Sequence, residues 1–148
     1  MSRIRVTKEF SFEMAHALWN YDGPCKNVHG HSYRLFVTLI GEPLTDRKNP
    51  KYGMVIDFGD LKKIVNREVV KRFDHSVVVE KSGDRERIEA LDKMFGNIIT
   101  VDYQPTCENL VDDIARIIMP HLPAGVSLHN LKLFETATSY AEWFASDN

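Results

Sequence analysis

Three features of the 148-residue chain predict an α+β fold built on an antiparallel sheet. Apolar and polar residues alternate with period two at both ends, helical spacing governs the middle, and turn-forming residues separate the two kinds of segment. The resulting order is strand, strand, helix, helix, strand, strand. At roughly 100 to 200 residues per domain, one domain over residues 1–148 is expected.

Residues 4–14 place Ile4, Val6, Phe10, Phe12 and Met14 on one side and Arg5, Thr7, Glu9, Ser11 and Glu13 on the other, as in a half-buried strand. A turn-rich stretch, Asn20, Tyr21, Asp22, Gly23 and Pro24, leads to residues 31–40, where Tyr33, Leu35, Val37 and Leu39 share a face. The two runs predict an antiparallel hairpin with a long loop. Leu61, Ile64, Val65, Val69 and Phe73 follow helical spacing, with Asp60 as the expected N-cap and an end near Asp74 and His75. A second helix starts at Pro105 and Thr106, where Thr106 caps and Glu108 lies in the positive first turn. Its apolar side is Leu110, Val111, Ile114, Ile117 and Ile118, and Pro120 and Pro123 stop it. Residues 128–135 and 140–144 read as two closing strands about a polar turn. The charged segment 80–104, with a short helix over 84–95 and a β-like piece at 98–101, reads as an insertion between the two helices.

Hydrophobic residues make up 43% and charged residues 27%, the proportions of an ordinary globular protein. A formal net charge of −2 offers no broad basic surface to a nucleic acid or an anionic membrane, which leaves a small molecule as the expected partner. No apolar run has the length of a signal peptide or a membrane span. Two cysteines are too few for a disulfide framework, so a cytoplasmic protein with free thiols is expected.

The histidines carry more information. His29 and His31 stand at i and i+2, so an extended backbone points both imidazoles to one side, and His16 continues the phase of Phe10, Phe12 and Met14. Three neutral imidazoles converging there suit zinc, with a fourth position left for water or substrate. Cys25, four residues before His29, reads equally well as a fourth ligand of a closed structural site or as a free thiol whose pKa the nearby cation lowers. Asp74 and His75 offer an acid–base pair, against the plainer reading of a histidine favoured by a helix end. Glu135 shares the phase of Leu131 and Leu133, which directs a carboxylate toward the apolar side, where it needs donors. His121 and His129 read as surface residues, and Cys107 as a small residue at a helix start. Trp19, Trp143, Phe10, Phe12, Phe36 and Phe134 read as core or subunit contacts.

The runs FSFEMAH (10–16) and CKNVHGHSY (25–33) resemble the 6-pyruvoyl-tetrahydropterin and 6-carboxy-tetrahydropterin synthase family. GMVIDF (53–58), FDH (73–75), PTCEN (105–109) and FET (134–136) extend the resemblance over most of the chain in the family's order. The resemblance implies a tunnelling fold: a four-stranded antiparallel sheet with two helices on one face, closed into a barrel by subunits in trimers or hexamers. It implies zinc on His16, His29 and His31, Cys25 as the catalytic base, and Asp74 and His75 completing the relay. Glu135 would anchor the pterin ring, with Thr106 and Glu108 near the same pocket. The implied substrate is 7,8-dihydroneopterin triphosphate. The three-residue gap between Cys25 and His29 resembles the carboxy branch, which releases acetaldehyde and triphosphate and leaves 6-carboxy-5,6,7,8-tetrahydropterin, a step toward queuosine. The alternatives are the pyruvoyl synthase and, of another class, a non-catalytic zinc-stabilised pterin-binding protein.

Overall fold

Alternation at the N-terminal end becomes a long strand, β1 (Ile4–His16), that pairs antiparallel with β2 (His29–Gly41) over thirteen residues, from Ile4 opposite Gly41 to His16 opposite His29. β2 pairs antiparallel with β5 (Val126–Phe134), and β5 with β6 (Tyr140–Phe144). These four strands are the antiparallel sheet expected from sequence. The computed structural model, which describes residues 2–148, adds two more to it. β3 (Ser76–Glu80) lies parallel to β1, and β4 (Ile98–Val101) lies parallel to β3, so the full order is β4-β3-β1-β2-β5-β6.

The expectation of four strands is corrected by β3. Its run Ser76-Val77-Val78-Val79-Glu80 is too short and too uniformly apolar to alternate, because Val78 and Val79 are both fully buried. The β4 strand and the short helix α3 (Arg85–Met94, capped by Asp84) fall where the sequence placed them. Parallel neighbours need a crossover, and α3 is the crossover that carries the chain from β3 to β4. The segment 80–104 is thus bound into the sheet rather than appended to it.

The first long helix begins as α1 (Phe58–Val65), passes through a π-helical turn (Asn66–Val70) and closes with α2 (Lys71–Phe73). Its cap is Asp57, not Asp60: Asp57 has extended backbone and its Oδ1 accepts the Gly59 N–H at 2.7 Å. The short apolar run before Asp60 obscured the earlier start. α4 (Cys107–Ile118) is capped by Thr106, whose hydroxyl accepts the Asn109 N–H at 3.2 Å. Leu61, Val65, Val69 and Phe73 from the first helix and Leu110, Ile114 and Ile118 from α4 pack against Phe12, Leu35, Leu131 and Leu133 of the sheet. The aromatic residues divide between faces. Phe10 and Phe12 are core, whereas Phe36 and Phe134 stack edge-to-face on the opposite side at 5.8 Å, beneath the Arg34 guanidinium. Among the described residues no helix is long and apolar enough to cross a membrane.

Candidate metal centre and active site

The end of the β1–β2 hairpin builds the site. Cross-strand pairing sets His16 opposite His29 and Met14 opposite His31, so the pleat that buries Phe12 and Tyr33 also turns all three imidazoles inward. Their ring centroids stand 4.6, 5.2 and 4.9 Å apart, and one nitrogen from each lies within 4.8 Å of the others.

Backbone carbonyls set the tautomers. His16 Nδ1 lies 2.7 Å from the Pro105 carbonyl and His29 Nδ1 lies 2.7 Å from the Asn27 carbonyl, so each Nδ1 carries the proton and donates it. Both Nε2 atoms then present lone pairs, yet they face each other at 3.0 Å. His31 Nε2 is buried without a hydrogen-bond partner among the described residues. Three bare ring nitrogens directed at one point fit a cation. Burial lowers the pKa of His16, opposed by the Pro105 bond and by Glu135, and this favours the neutral form that binds metal.

Glu135 follows β5 directly, held by a bond from its N–H to the Ser139 carbonyl at 3.1 Å. The phase read from Leu131 and Leu133 is correct, for its Oε1 lies 3.5 Å from His16 Nε2 and 3.6 Å from His31 Nε2. Tyr33 lies beneath the histidines, fully buried, with a hydroxyl that has no hydrogen-bond partner. Burial, and then the Glu135 carboxylate, raise its pKa far above the ordinary range, so it stays protonated.

Cys25 occupies a short helical turn (Pro24–Lys26) in the hairpin loop, partly exposed. Its carbonyl accepts the Leu18 N–H at 3.1 Å. The thiol does not join the compact group of three nitrogens. Cys107 is a different case: it is buried, its Sγ lies 3.3 Å from the Leu133 carbonyl, and burial pushes its thiol up to about 12.

Asp74 and His75 form the pair read from sequence, at 3.1 Å between Oδ2 and Nδ1. His75 adopts a positive φ of 60°, a strained conformation for a non-glycine residue. Its surroundings hold it there: its N–H donates to the Glu13 carbonyl at 2.6 Å, and the Asn97 amide donates to its own carbonyl at 3.1 Å. Asp74 accepts the Glu13 N–H at 2.8 Å, and this bond, with a smaller contribution from His75, holds its carboxyl below the usual range. The imidazole is exposed and bonds none of the three clustered histidines, though His75 and His31 line one shallow cavity of about 380 Å³.

Thr106 spends its hydroxyl on the α4 cap, and Glu108 is exposed among Asn109, Asp112 and Glu142, apart from the histidines. Sequence reasoning passed over Tyr33, which looked like any core aromatic. It also passed over Pro105, whose contribution is a carbonyl and leaves no side-chain signal.

A three-histidine centre open on one side, at the mouth of a β-hairpin backed by two helices, has the form of a metal-dependent active site. Residues 5–146 match the family model described as 6-pyruvoyl tetrahydropterin synthase, and the chain belongs to that family. It is 37% identical over 144 residues to the 6-carboxy-5,6,7,8-tetrahydropterin synthase of Haemophilus influenzae, covering 95% of this chain and 98% of that one. It is 30% identical to the protein of the same name from Rickettsia felis, covering 94% and 99%. Among solved structures, the 6-pyruvoyl tetrahydropterin synthase of Caenorhabditis elegans superposes with a TM-score of 0.69 at 25% identity, over 98% of this chain and 97% of that one.

Proposed function

We propose that this protein is a zinc-dependent lyase that converts 7,8-dihydroneopterin triphosphate and water into 6-carboxy-5,6,7,8-tetrahydropterin, acetaldehyde and triphosphate, in the route to queuosine and other 7-deazaguanines. The observation that carries the reading is the set of three inward ring nitrogens, two of them left with a free lone pair because carbonyls hold the proton on the other nitrogen of the ring, and the third buried with no partner among the described residues. The names of the bacterial relatives support the carboxy branch.

His16, His29 and His31 hold the metal. Zinc supplies Lewis acidity to the substrate's side-chain oxygens, making neighbouring C–H and O–H protons easier to remove. Cys25, outside the ligand group, takes a proton as general base, and His75, oriented by Asp74, moves a second. Glu135 accepts N–H groups of the pterin ring, with Thr106, next to the Pro105 carbonyl that holds His16, at the margin of the same pocket; Glu108 faces away from it. The residues 1–148 act as one domain in the cytoplasm and, as the family resemblance implies, as one subunit of a trimer or hexamer; the outer edges of β4 and β6, unpaired among the described residues, are where copies can join.

Incubating the zinc-loaded protein with 7,8-dihydroneopterin triphosphate and identifying the products by mass tests the reading. Acetaldehyde with the carboxy pterin supports it. A 6-pyruvoyl product moves the protein to the sister branch, and substrate binding without product makes it a pterin-binding protein.

A further inference from the structure

The hairpin loop buries Ala17 where it leaves β1, but the turn that carries Cys25 is outside the hydrophobic core: Pro24, Cys25 and Lys26 include no buried residue. The helix that flanks it, α3, also buries none of its side chains, and a cleft of about 270 Å³ separates Asn27 and Val28 from Leu91 and Met94. Core packing therefore does not fix the part of the loop that carries Cys25, and discrete polar bonds must.

Those bonds meet at Trp19. Its backbone N–H donates to Gln104 Oε1 at 3.0 Å, and its carbonyl accepts from Gln104 Nε2 at 2.9 Å, so one amide side chain matches the peptide group like a strand partner. The indole N–H donates to the Glu80 carbonyl at 2.9 Å. The indole lies so close to Gly83 that a Cβ there would stand 1.9 Å from the Trp19 ring nitrogen. The Gln104 carbonyl in turn receives Thr106 N–H at 2.8 Å and the Asn109 amide at 3.0 Å, and the next carbonyl, Pro105, holds His16. Segment 80–104 thus grips the loop at its beginning, through Glu80 and Gly83, and at its end, through Gln104.

We propose that Gln104 and Trp19 are positioning residues: they hold the Cys25 segment at a fixed distance from the three-histidine centre, and the 80–104 segment exists in this chain as the brace for that loop. Rigid placement matters because a shift of about 1 Å in a reacting group costs on the order of a hundredfold in rate. The inference rests on the proposed lyase activity for its kinetic test, but a second readout is independent of it.

The test compares wild type with Gln104→Ala and Trp19→Phe, all zinc-loaded, by zinc per chain, by kcat and KM on 7,8-dihydroneopterin triphosphate, and by the rate at which iodoacetamide alkylates Cys25, located by peptide mass. Gln104→Ala is expected to keep its zinc and a KM within about twofold, to lose about 10- to 100-fold in kcat, and to change the Cys25 alkylation rate several-fold. Trp19→Phe, which removes the indole bond and part of the ring that packs on Gly83 but keeps both backbone bonds to Gln104, should shift the same quantities by less. It carries the test if the alanine variant does not fold. Unchanged alkylation in both variants overturns the proposal, whatever kcat does. Loss of zinc from Gln104→Ala also overturns it, assigning the residue to the metal centre. A wild type inactive on this substrate removes the proposed function and leaves the alkylation comparison to decide the brace.

Discussion

The chemistry of this site depends on which atoms are left without partners. His16 and His29 each donate an Nδ1–H hydrogen bond to a carbonyl, and His31 has a buried nitrogen with no hydrogen-bond partner among the described residues. Glu135 stands over them at 3.5 and 3.6 Å, close enough to be either a ligand or a receptor for ring N–H groups. The two roles separate on mutation. If Glu135 anchors the ring, Glu135→Gln keeps its zinc and raises KM by roughly 10- to 100-fold, the worth of a charged hydrogen bond at about 1.5–3 kcal/mol. Loss of zinc would make Glu135 a ligand instead. Asp74 gives a pH-dependent test. Its folded-state pKa lies below the ordinary 3.8 because the charged form accepts the Glu13 N–H and faces His75. The charged form therefore adds stability above the unfolded value, and that contribution is lost as pH falls through the lowered one. Asp74→Asn should be less stable than wild type in urea at pH 6, with the gap closing below 3.8. A gap constant across that range would show that the charge contributes nothing.

Elements place these residues, and most of them were legible in the sequence. Alternation in residues 4–14 and 31–40 predicted the hairpin, and the phase of His16, His31 and Glu135 gave their directions because a strand has only two faces. Helix α4 was legible through Thr106 and its apolar stripe. Thr106→Ala should lower stability by about 1 kcal/mol in thermal or urea unfolding, while Thr106→Ser, which keeps the cap, should leave it nearly unchanged. Equal losses in the two variants would mean that the methyl group, not the hydroxyl, matters. What was not legible has physical reasons. β3 hides in a run of three valines that a short buried strand shares with other core segments. The cap at Asp57 was masked by the apolar residues before Asp60. The gripping carbonyls of Pro105, Asn27 and Glu80 belong to the backbone and reveal themselves only in three dimensions.

Across the whole molecule, the sheet ends on β4 at one side and β6 at the other, and neither outer edge has a partner among the described residues. Unpaired edges are templates for association, and the family resemblance implies that copies of the chain close them into a barrel. Sedimentation at micromolar concentration should give a trimer or hexamer, and a monomer would leave the edges to some other protection. In the proposed function the three histidines form an open catalytic centre in which Cys25 is a base and not a ligand. Cys25→Ala, measured together for bound zinc and for turnover, tests it most directly. The variant should keep about one zinc per chain, as in wild type, with turnover reduced by about 100-fold or more. Loss of the zinc, or turnover near that of wild type, would contradict it.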